Sequence, residues 1–292
     1  MSEQTIFHPA GTVTTLLGLL NQFHGFSDPN DLHYRVFPET TLDYKYGVHL
    51  QEIQAPQSVP VFRYFGIGIN GFRNLDTATN AIPHQPLATN LDLYQPIPFR
   101  VRPLADDLTA SERADYRLRV PLTVEGVKYV AYYLKRIHFD PANVELIQRA
   151  ADGTETPHTL DSSQLYPEPP TAEIGGLVTS NLNSLIVRAT GECVVTGKEI
   201  QEARTILLGM SAQTSFQISE YGFYTGCEYW VDSNEELCGD CSIVPKTAAY
   251  VNKEAVYVQL AKHQCTLGDD LTESSSSVTT QVTFEAANTI EV

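Results

Sequence analysis

The sequence predicts a mainly β protein: two β-sandwich-like domains with short helices and long proline-rich loops. Three observations point there. Val, Ile, Tyr and Phe recur in alternating runs such as Tyr116–Val124, the period of a half-buried strand. The 17 prolines and 18 glycines break those runs into short lengths, as turns and loops do. The charge is uneven, with net −2 in residues 1–150 and −14 in residues 151–292. That asymmetry predicts an N-terminal domain over 1–165 and an acidic C-terminal domain over 166–292. Tyr166-Pro-Glu-Pro-Pro-Thr171 reads as the stiff connector.

Element by element, Thr12–Phe23 reads as an amphipathic helix, with Leu16, Leu17, Leu19, Leu20 and Phe23 mostly on one face and Gly25 at its end. The following thirty residues read as irregular or short-strand structure. Val59–Asn70 is rich in β-branched and aromatic residues and reads as a strand bulged at its glycines. Residues 74–107 hold five prolines, which exclude helix and predict an extended arm. Thr109 and Glu112 have the spacing of a cap on a short helix over Leu108–Asp115. Tyr116–Val124, the turn Glu125-Gly126 and Val127–Ile137 predict a β-hairpin, and Val144–Gln148 a third strand before a turn at Asp152-Gly153. Strands are expected over Ser184–Ala189, Glu192–Thr196, Ser215–Gly226, Lys253–His263 and Val278–Phe284, with a short helix over Lys198–Gly209.

The chain has 35 acidic against 19 basic residues. That balance opposes nucleic-acid binding and docking on anionic lipid, both of which need clustered Lys and Arg. The N-terminus has no signal-peptide pattern, and Thr12–Leu20 is too short to span a bilayer. The expectation is a soluble chain made in a cytoplasm, with no membrane partner.

Gly66-x-Gly68-x-x-Gly71 matches the dinucleotide fingerprint in spacing. The fingerprint needs a helix next, to hold the pyrophosphate. Here a proline-rich stretch follows instead, so the glycines read as features of a strand. Cys238-Gly-Asp-Cys241 has a spacing that lets two thiolates reach one ion. Cys227, Cys265 or His263 would complete a zinc site; a disulfide and isolated thiols are the other readings. No other cofactor is expected. No nucleophile elbow, His-Glu-x-x-His or phosphate loop occurs, and the eight histidines are scattered singly, so no catalytic residue is expected. There are 15 Tyr and 12 Phe but one Trp. Tyr44, Tyr46, Tyr94, Phe99 and Tyr132 are expected at an interface, since such rings supply large amphipathic contact area.

Gln217–Gly226 with Glu254–His263, the hairpin Ala114–Ile137, and Phe65–Phe72 together resemble patterns in structural proteins of tailed bacteriophages. The resemblance covers under a third of the chain. It implies a non-enzymatic virion subunit of a contractile tail, in the baseplate wedge or next to it. Its partners would be other tail and baseplate proteins, and it would be oligomeric in the assembly. The cysteine cluster lies outside that pattern. The alternative is a virion β-protein that recognises the host or binds carbohydrate through aromatic platforms.

Overall fold

The computed structural model describes residues 5–6, 12–15, 38–50, 60–74, 81–150, 152–159, 183–209, 217–231, 252–270 and 277–290. Its strands are β1 (Thr5–Ile6), β2 (Thr12–Thr14), β3 (Val61–Gly68), β4 (Phe72–Asn74), β5 (Ala81–Pro83), β6 (Pro96–Ile97) and β7 (Arg100–Pro103). Next come β8 (Tyr116–Val124), β9 (Val127–Arg136), β10 (His138–Arg149), β11 (Glu155–Pro157), β12 (Asn183–Thr196), β13 (Gln217–Val231), β14 (Asn252–Asp270) and β15 (Ser277–Ile290). The described α-helices are α1 (Leu42–Tyr46) and α2 (Gly197–Ile206). The protein is therefore mainly β. No helix among the described residues is long and apolar enough to cross a membrane.

The contacts divide the chain into two units. One holds residues 1–137 and 194–279, the other 138–193 and 280–292. This differs from the division at 165/166 read from charge. Charge follows surface composition, whereas contacts follow strand pairing. β13 and β14 come from the acidic half, yet they pair with β3 and β2 from the N-terminal half. The connector 166–171 lies outside the described residues.

In the larger unit, strands run in the order β2-β14-β13-β3-β9-β7, with β6 on β3 and β8 on β9. The β8–β9 hairpin forms as the sequence predicts. Its turn residues Glu125 and Gly126 both have positive φ, 49° and 82°, as a two-residue turn matched to strand twist requires. The core gathers Tyr64, Leu118, Leu134, Tyr224, Val258 and Leu260 from five strands. β14 bulges at Tyr257, whose φ is 58°. There the Val258 N–H donates to the buried Asp43 carboxylate of α1 at 2.7 Å. In the smaller unit, β15, β12, β10 and β11 lie side by side, and β12 runs unbroken through both of the expected strands in that region.

Three expectations are corrected. Thr12–Thr14 is a strand on β14, not the start of a helix; its β-branched residues favour extended backbone. The rest of the expected helix, 16–23, lies outside the described residues. The proline-rich stretch 74–107 is not an extended arm. Leu93, Ile97, Phe99 and Val101 in it are buried, and β6 and β7 join the main sheet. Pro96 opens β6 and Pro103 closes β7, positions where a missing N–H costs the ladder little. The expected helix after it is a single 3-10 turn, Glu112–Asp115, whose N-cap Ser111 makes no side-chain capping bond, although Thr109 and Glu112 exchange the reciprocal bonds expected of them.

Candidate functional site

β13 and β14 place three chemistry-bearing side chains on one face. Glu220 of β13 pairs with Cys265 of β14, and Gly222 pairs with His263. His263 and Cys265 are two residues apart, so they share that face. The space over Gly222 is taken by the Tyr224 ring, whose hydroxyl oxygen would lie 2.6 Å from a Cβ there. All three side chains are fully buried, and their donor atoms lie within 4.8 Å of one another.

Glu220 is held from every side. Its Oε1 accepts the Tyr94 N–H at 2.8 Å, and its Oε2 accepts the N–H groups of Gln95 at 3.0 Å and Asn70 at 3.2 Å. His263 Nε2 lies 3.2 Å from Oε1. Burial opposes ionisation of this carboxyl, but the bonds from His263 and the three amides hold it below its ordinary range. His263 Nδ1 meets Asn90 Nδ2 at 2.9 Å, and Tyr94 covers the imidazole with ring centroids 5.0 Å apart. Cys265 Sγ lies 3.7 Å from His263 Nε2. Burial, then the Glu220 charge, push its thiol up to about 12. A thiol held there stays protonated near neutrality, which opposes a nucleophilic role.

Two glycines of the fingerprint spacing, Gly68 and Gly71, build the wall of this site. A Cβ on Gly68 would lie 2.5 Å from Glu220 Oε2, and one on Gly71 would lie 1.8 Å from the Ser219 carbonyl oxygen. Only glycine allows the backbone to approach so closely. The glycines thus carry the close packing of β3 and its following turn against β13.

The four-cysteine cluster does not form as the sequence suggested. Cys227 pairs with Val256, seven residues along β13 from the Glu220–Cys265 pair. At ~3.3 Å per residue those positions are about 23 Å apart, so Cys227 and Cys265 cannot share an ion. Cys238 and Cys241 lie outside the described residues.

The expected interface aromatics separate into two groups. Phe99 and Tyr132 are wholly buried: Phe99 packs edge-on against Phe65 at 5.2 Å, and the Tyr132 hydroxyl donates to Asp107 at 2.8 Å. These two are core residues. Tyr46 is half-buried and meets the Tyr133 ring at a tilt, with centroids 4.5 Å apart. Tyr44 and Tyr94 are exposed, at 56% and 41%. They belong to two segments that also expose Leu50, Ile82, Leu87 and Leu91. The Lys45–Asp92 ion pair ties α1 to the second segment, the Tyr224 hydroxyl donates to Asp92 at 2.8 Å, and the Tyr94 and His84 rings meet at 5.7 Å. The exposed apolar side chains are thus held on a fixed support.

Other charged groups are spent within the fold. Glu228 faces Arg63, Arg117, Arg136 and Lys253 within 3.1–3.8 Å. A cleft of about 650 Å³ beside α2 is lined by Arg100, Arg102 and Lys198. Both arginines there are engaged by Glu202, at 3.0 and 3.2 Å.

No curated protein and no solved structure matches the sequence. The family model of DUF7208 matches residues 4–285, nearly the whole chain, so this protein belongs to DUF7208, a family of unknown function.

Proposed function

We propose that this chain is a non-enzymatic structural subunit of a tailed-phage virion, placed in the tail or baseplate and assembled through protein–protein contacts. The observation that carries the reading is the pair of braced segments around Tyr44 and Tyr94. They present six large apolar side chains to solvent on a support fixed by the Lys45–Asp92 pair. Exposed apolar groups held rigidly suit an interface, because little entropy is lost on docking. The acidic charge is compatible with protein partners and opposes nucleic acid and anionic membrane.

The internal chemistry supports the same reading. Two buried acids are consumed in holding strands together: Glu220 binds three backbone amides, and Glu254 binds those of Leu118, Arg119 and Ala255. Perturbed groups often mark active sites, but structural networks perturb them as well.

A stop codon in this gene tests the proposal. Electron microscopy of the resulting particles should show missing tails or defective baseplates, restored by supplying the chain in trans. Particles of normal shape and infectivity would overturn it.

A further inference from the structure

We propose that Glu220, His263 and Cys265 form a zinc site, with Oε1, Nε2 and Sγ as three of four ligands. The separations fit. Sulfur and nitrogen ligands of one tetrahedral zinc, at ~2.3 and ~2.0 Å from the metal, stand about 3.5 Å apart, and nitrogen and oxygen ligands about 3.3 Å apart. The corresponding distances here are 3.7 Å for Sγ to Nε2 and 3.2 Å for Nε2 to Oε1. The donor set is also suited to this ion, since thiolate, imidazole and carboxylate together favour zinc over calcium or magnesium.

The supporting groups are those a metal centre needs. A ligating histidine normally engages its second nitrogen with an outer partner, and ligating carboxylates are hydrogen-bonded in turn. Asn90 occupies the first role, 2.9 Å from Nδ1. The amides of Tyr94, Gln95 and Asn70 occupy the second and fix the carboxylate plane. Three of the four coordinating positions therefore arise from two adjacent strands, without the Cys238-x-x-Cys241 segment.

Loading balances as follows. Cys265 binds as the thiolate and releases its proton to solvent. Glu220 is already a carboxylate. The His263 proton leaves Nε2, where it bridges to Oε1, and sits on Nδ1. Asn90 accepts it through Oδ1 once its side-chain amide turns over, an exchange of oxygen and nitrogen in place. Asn90 is half-buried and Tyr94 exposed, so displacing these two covers gives the ion a short path inward.

The test uses the full chain, expressed in zinc-supplemented medium and purified without chelator. Elemental analysis should find about one zinc per folded chain, retained in Cys227→Ala and reduced at least ~10-fold in Cys265→Ala and His263→Ala. Cobalt substitution gives a readout that needs no stable variant. A thiolate-to-cobalt charge-transfer band should appear in the parent and in the Cys227→Ala, Cys238→Ser and Cys241→Ser proteins. Where Cys265→Ala folds by circular dichroism, the band should be lost. A folded parent without stoichiometric zinc and without the cobalt band overturns the site. So does a band that survives Cys265→Ala or disappears in Cys238→Ser.

Discussion

Gly71 lies so close to Ser219 that a β-carbon on it would sit 1.8 Å from the Ser219 carbonyl oxygen. The Gly71 N–H also donates to the Ser219 hydroxyl at 2.8 Å. This contact seats the turn after β3 on β13, next to Glu220. Because the obstacle is backbone, Gly71→Ala should destabilise by ~3 kcal/mol or more, the upper range for overpacking. Gly126 provides the comparison. It needs its glycine only for φ 82°, with open space around it. Gly126→Ala should therefore cost only about 1–2 kcal/mol. Urea unfolding of both variants checks the order; equal losses would contradict the packing account.

Glu220→Gln tests the buried carboxylate itself. Two oxygens accept from three backbone amides and His263. Glutamine replaces one oxygen with a donor, which leaves at least one amide facing another N–H. The expected loss is about 1–3 kcal/mol per unmet group, measured by urea unfolding in the presence of a chelator so that metal plays no part.

Stability should fall in acid. Glu199 and Glu228 are opposed by burial, yet Lys135 beside Glu199 and Arg117 beside Glu228, with further partners, hold both carboxyls below their ordinary range. A folded-state pKa below the unfolded one gives stability that is full above the unfolded value of ~4.3 and is lost as pH falls through the folded value. The urea midpoint should be level from about pH 7 to 5.5 and drop below about pH 4. Glu228→Gln should be weaker at pH 7 and show a shallower acid decline. An unchanged acid slope in that variant would remove Glu228 from the explanation.

Tyr44→Ser combined with Leu87→Ser tests the surface. Both side chains are mostly exposed, at 56% and 60%, so the melting midpoint should stay close to the parent's, as surface changes usually do. Incorporation into particles should fall sharply in a complementation assay. Full incorporation would separate the patch from assembly.

Periodicity made much of the fold legible. The β8–β9 hairpin, β10, β13, β14, β15 and α2 follow from periodicity and turn residues, whereas the Thr196–Glu199 capping box that opens α2 is seen only in the structure. Charge was a poor guide to domains, because β13 and β14 carry the acidic half into the N-terminal sheet. Prolines misled in the same way: Pro96 and Pro103 stand at strand ends, and Phe99 between them is core. The site was half legible. His263 and Cys265 are visibly two apart, but their partner is 43 residues from His263. Its signal lay in Gly68 and Gly71, which are placed to admit the Glu220 side chain rather than a phosphate.

The measurement that bears most directly on the structural-subunit reading is quantitative mass spectrometry of purified particles from the phage that encodes this chain. The chain should be present at a fixed whole-number ratio to the other tail proteins and should stay with the particles through gradient purification. Abundance in the infected lysate with absence from the purified particles would contradict the account.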